Sequence, residues 1–106
     1  MIKNKDSLLK EIEDFILNDI RPRIKMSPGI EDVIVWVKDV DNKKGTIQMG
    51  VALGDSTGCS PFCGCAARQI TEIIFEELRK KFPQLKKAVG IAELPPEDYL
   101  KKWAEV

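Results

Sequence analysis

The chain has 106 residues, 43% hydrophobic and 32% charged, with 17 Lys+Arg balanced by 17 Asp+Glu. That composition fits one soluble domain with a modest core and excludes a disordered segment, while the zero net charge excludes steering of a partner by a global field. The longest purely apolar run, residues 33–37, is far too short to span a membrane, and "MIKNKDSLLKEIEDF" is charged where a signal peptide is apolar, so a cytoplasmic, membrane-free protein is expected.

In chain order, "DSLLKEIEDFILNDIRP" carries Leu8, Ile12, Phe15, Ile16 and Ile20 at helical spacing, with Asp6 or Ser7 as N-cap and Pro22 expected to stop the helix. After the loop "KMSPG", residues 30–40, "IEDVIVWVKDV", are rich in β-branched and aromatic side chains and predict a strand. "DNKKG" supplies a turn. In "TIQMGVALG", Ile47, Met49, Val51 and Leu53 alternate with Thr46, Gln48, Gly50 and Ala52, which predicts one buried face and one small or polar face. A second amphipathic helix follows, with Ile70, Ile73, Ile74, Leu78 and Phe82 as its apolar stripe and Pro83 at its end. "KKAVGIAE" reads as a short third strand. "LPPEDYLKKWAEV" has prolines at a helix start, acids in the first turn, and Tyr99, Leu100 and Trp103 on one side. The expected fold is α+β, a single compact domain over residues 1–106. Its order is α-β-β-α-β-α, with a three-stranded mixed sheet and helices packed mainly on one face.

The chemistry concentrates in "GDSTGCSPFCGCAARQI", residues 54–70, where all three cysteines, Cys59, Cys63 and Cys65, fall in a C-x3-C-x-C pattern. In a reducing compartment such a cluster points to metal or redox chemistry ahead of a structural disulfide, and an odd count leaves one thiol outside any internal bridge. A lone cysteine is ordinarily a small buried hydrophobe, but three so close together are not expected of packing alone. If Ser60 is the N-cap and Pro61 the first helical residue, Cys59 and Cys63 sit near one helix end. There the exposed N–H groups and the dipole favour thiolate. On that register Cys65 is about 200° round the helix from Cys63 and points away. If the helix begins near Cys65 instead, all three thiols can converge.

The chain contains no histidine, which removes Cys2His2 zinc and any Cys–His nucleophile. Structural zinc would need a fourth ligand, for which Asp55 is the candidate. An iron–sulfur centre ordinarily takes four thiolates. Three from one chain leave an iron site open, and two from each of two chains would bridge a homodimer. Either arrangement suits a transient carrier. Gly54, Ser56, Thr57, Gly58 and Ser60 also suggest an anion cradle, but the lysine that ends a phosphate-binding P-loop is missing, so the same donors would face sulfur.

The element order, with cysteines in the loop between the hairpin and the long helix, resembles the iron–sulfur cluster assembly domain. That domain is shared by the NifU C-terminal domain and the PaaD/SufT-like metal-sulfur cluster biosynthesis proteins. The resemblance covers about residues 7–93, and its specific part is "STGCSP". In the PaaD/SufT-like group a Thr-rich strand end leads to Gly-Cys-Pro and the helix; Thr57, Gly58 and Cys59 match, with Ser60 inserted before Pro61. The NifU-type loop carries C-x-x-C, to which Cys63 is an approximate second counterpart, while Cys65 has none. The family's Asp-Pro-Glu segment is replaced by "MSPGIEDV".

The resemblance implies assembly or transfer of an iron–sulfur cluster, or of iron, bound transiently at Cys59 and, approximately, Cys63; the C-x3-C-x-C pattern adds Cys65 as a candidate ligand. Other assembly proteins or apo-protein clients would be the partners, and the role is that of a scaffold or carrier more than a catalyst. The alternative is a thiol-disulfide or persulfide-handling redox protein in which Cys59 attacks and Cys63 resolves. Arg79, Lys80, Lys81, Lys86 and Lys87 in "RKKFPQLKK" read first as a solvated helix end and only secondarily as a nucleic-acid patch. Trp36 and Trp103 are expected in the core.

Overall fold

A computed structural model describes residues 5–53 and 64–105. Over these the chain forms α1 (Lys5–Phe15), a π-helical turn (Ile16–Ile20), α2 (Arg21–Lys25), β1 (Ile34–Asp41), β2 (Thr46–Ala52), α3 (Gly64–Lys81), β3 (Lys87–Ala92) and α4 (Glu97–Glu105). With the first helical stretch counted once, this is the expected α-β-β-α-β-α order of an α+β fold.

Pro22 does not stop the first helix. The turn ahead of it widens, and the Arg21 N–H bonds to the Ile16 carbonyl, five residues back. Pro22 then falls in the first turn of α2, where its missing N–H and fixed φ are tolerated, and the helix runs on to Lys25. The wider turn also serves packing. In an ideal α-helix, residues four apart drift by about 40° per step. A π turn drifts the other way, so Leu8, Ile12, Ile16, Ile20 and Ile24 all stay buried.

The sheet order is β1-β2-β3, with β1 antiparallel and β2–β3 parallel across the α3 connection. Asp41 Oδ1 accepts from the N–H groups of Lys43 (2.9 Å) and Lys44 (3.1 Å), which makes the hairpin turn. Gly45 closes it at φ 68°, and its carbonyl accepts from Lys86 and Lys87, tying the start of β3 to the hairpin. Val35, Val37 and Val40 lie opposite Val51, Met49 and Ile47 on the helix-covered face. The pattern survives because the register shifts between Val37 and Asp39, making Lys38 an extra, exposed residue.

Two close approaches fix how the layers fit. Thr71 of α3 is buried over Gly90 of β3: a Cβ on Gly90 would fall 2.0 Å from Thr71 Oγ1, which itself donates to the Ala67 carbonyl (2.8 Å). This tight crossing turns the α3 face. Ile70, Ile74, Leu78 and Phe82 are buried as expected, but Ile73 is 67% exposed and leaves the stripe, with Thr71 taking the inward place. On the opposite face the Trp36 indole lies on Gly50, where a Cβ would sit 2.1 Å from Nε1. That cover explains why Gly50 is buried although its side of β2 was expected to be the small or polar one.

Helix α4 lies beside β1. Tyr99 donates to the Val35 carbonyl (2.6 Å), and the buried Arg21 Nη1 donates to the Trp103 carbonyl (2.6 Å) near the C-terminal end of α4. Trp36 and Trp103 are both buried, as expected, with Tyr99 and Trp103 rings 6.1 Å apart. Leu100 stands at the surface of α4. No described helix is long and apolar enough to cross a membrane.

Candidate functional site

The β2-α3-β3 unit sets the position of the cysteine segment. Residues 54–63 join the C-terminal end of β2 to the N-terminal end of α3, at the carboxyl end of two parallel strands. In α/β units this end is where ligand loops gather, because the strand ends and the helix N-terminus converge there. Its described frame is apolar and small: Val33 and Leu53 are buried, and Ala66 and Ala67 occupy the first turns of α3. Across the sheet end, the Trp36 indole N–H donates to the Glu93 carbonyl (3.2 Å), and Lys38 pairs with the Glu93 carboxylate at 2.7 Å.

Cys59 and Cys63 lie outside the described residues, as do Asp55 and the Gly/Ser/Thr donors Gly54, Ser56, Thr57, Gly58 and Ser60. Cys65 is the second residue of α3, so its backbone is in that helix's first turn. The first turn of α3 contains no acidic side chain, so none of its own carboxylates offsets the positive helix end. Among the described residues there is no group of three or more His, Cys, Asp or Glu side chains suited to a metal ion.

Two concavities lie elsewhere among the described residues, and neither is lined by cysteine. An apolar cleft of about 150 Å³ between α2 and α3 is lined by Ile24, Ile30, Ile70 and Ile73. Glu77 stands at its rim, accepting from Lys80 (3.2 Å) and Arg23 (3.1 Å); those two hydrogen bonds, Lys80 first, hold its carboxyl below the usual range. An open groove of about 490 Å³ is lined by Glu11, Asp14 and Asp19 with Lys81 opposite. The basic stretch at the end of α3 is partly engaged by its own chain: Lys80 pairs with Glu77, Arg79 lies over Phe75, and Lys81 lies over Phe15. This favours the helix-end reading over a nucleic-acid patch. Sequence reasoning missed Arg21, a buried cation in the middle of "NDIRPRIK"; a stretch read as the end of a helix gave no signal for it.

The chain matches no protein-family model, no curated protein and no solved structure.

Proposed function

We propose that the protein is an iron–sulfur assembly or transfer module that takes a cluster, or iron, as cargo on Cys59, Cys63 and Cys65. One observation carries the reading. The three cysteines of a histidine-free chain all fall between the carboxyl end of β2 and the first turn of α3. Soft thiolates select iron–sulfur centres, and a helix end without acids favours the thiolate form. Three thiolates are one short of the usual four, so the fourth iron position is open to a donor or client thiol. An exchangeable position is what a carrier needs in order to release its load.

The test is anaerobic reconstitution with ferrous iron and sulfide. The expected product is brown, with visible sulfur-to-iron charge-transfer absorbance that Cys59→Ala and Cys63→Ala abolish. A colourless product whose Cys59 alkylates rapidly near neutral pH would assign the site to thiol-disulfide or persulfide chemistry instead.

A further inference from the structure

The two edges of the sheet are finished differently. On β1 the edge is interrupted by the bulge at Lys38 and met by the Tyr99 hydroxyl on the Val35 carbonyl. These are the usual ways of blunting a strand against further pairing. Among the described residues neither device is present on β3. No described strand pairs with its outer side, and Lys87–Ala92 contains no proline and no charge after Lys87. The chain leaves β3 inward, since the Glu93 carbonyl receives the indole N–H of Trp36, two strands away.

The parity of the exposed groups is fixed. The N–H groups of Lys87 and Glu93 bond to Gly45 and Val51 on the β2 side, so odd-numbered residues direct their backbone polar groups inward. Ala88, Gly90 and Ala92 therefore direct theirs outward. On the face away from α3, Val89 and Ile91 are 41% and 40% exposed.

We propose that β3 is a self-association edge, pairing antiparallel with β3 of a second copy about a two-fold axis at Gly90. This register sets Gly90 against Gly90 and Ala88 against Ala92 as hydrogen-bonded pairs, which uses the outward-directed groups. It also sets Val89 against Ile91 on the open face and, at each end, Lys87 against Glu93 of the other copy, whose 42% exposed carboxylate it would share with Lys38 of that copy. Opposite charges and apolar β-branched pairs meet directly, so the edge is complementary to itself. The product is a continuous six-stranded sheet. Because the strands run antiparallel across the axis, the carboxyl ends of the two β2 strands lie about 25 Å apart, on opposite ends of the sheet. The pairing does not depend on the function proposed above.

Sedimentation equilibrium of the metal-free, reduced protein tests the pairing. The mass is expected to rise with concentration from one chain to two. Lys87→Glu is expected to weaken association about tenfold by opposing Glu93 of the partner, and Lys87→Glu with Glu93→Lys and Lys38→Glu, which keeps the pair between 38 and 93, to restore it. Val89→Lys, at a position 41% exposed on the open face, is expected to weaken it as well. A protein that stays monomeric at all concentrations overturns the proposal. So does a dimer indifferent to both Lys87→Glu and Val89→Lys, or one that forms only after loading with iron and sulfide.

Discussion

Single side chains at close approaches carry much of the specificity of this fold. Gly50 exists for the indole of Trp36, and Gly90 for the hydroxyl of Thr71. Gly50→Ala would put a methyl where the indole ring lies, forcing Trp36 outward and breaking its bond to the Glu93 carbonyl. Overpacking of this kind is expected to cost about 1–3 kcal/mol, measured as a lower urea midpoint with red-shifted tryptophan emission. Tyr99 is the chain's only tyrosine, so its ionisation can be followed without interference. Burial first, and the nearby Glu13 charge second, push its phenol well above the ordinary value, while Arg21 opposes the shift. A pKa raised on folding means the unfolded chain loses this proton first. The contribution to stability is therefore intact below about pH 10 and is lost progressively as pH rises from there through the higher folded-state value. An absorbance titration should show the phenolate band appearing only with alkaline unfolding. Tyr99→Phe should remove this pH dependence and cost about 1–3 kcal/mol by leaving the Val35 carbonyl unpaired.

Among the elements, the π turn is the informative departure. Hydrophobic spacing and Pro22 together argue for a helix that ends at the proline, because a proline inside an α-helix removes a bond and clashes one turn back. A five-residue turn solves both problems, and its only trace in the sequence is that isoleucines continue at four-residue spacing to Ile24, beyond the proline. Deleting the exposed Asp19 would convert this turn to ordinary α-helix and rotate α1 by about 100° against α2. Leu8 and Ile12 would swing out of the core, and Phe15 would lose its edge-on contact with Phe82. We expect a loss above about 3 kcal/mol, read by calorimetry, where deletion at an exposed helical position without a packing role would cost little. Ile73 teaches the complementary point. Its spacing fits the α3 stripe, but an apolar stripe specifies a face only to within one residue. The Thr71–Gly90 contact, set by a partner strand, decides which residue turns inward.

For the molecule as a whole, element order and strand pairing were legible because each element carries its own period and its own punctuation. β-branched runs gave the strands, Gly45 the hairpin turn, and Pro83 the end of α3. Tertiary choices were not legible: the blunted β1 edge, the β3 edge that no described strand pairs, and the capping of α4 by Arg21. Each depends on residues distant in sequence, such as Tyr99 and Val35. Of the candidate site, the fold supplies the frame, a β2-α3-β3 crossover with Cys65 in the first turn of α3, whereas Cys59 and Cys63 rest on the sequence pattern. We propose that these thiols accept iron–sulfur cargo. Native mass spectrometry after anaerobic reconstitution tests it most directly, since it counts iron, sulfide and chains in one species. Iron-and-sulfide adducts are expected on the intact protein and are expected to vanish in the Cys59→Ser/Cys63→Ser variant. Adducts that persist in that variant, or a wild-type chain that takes up none, would contradict it.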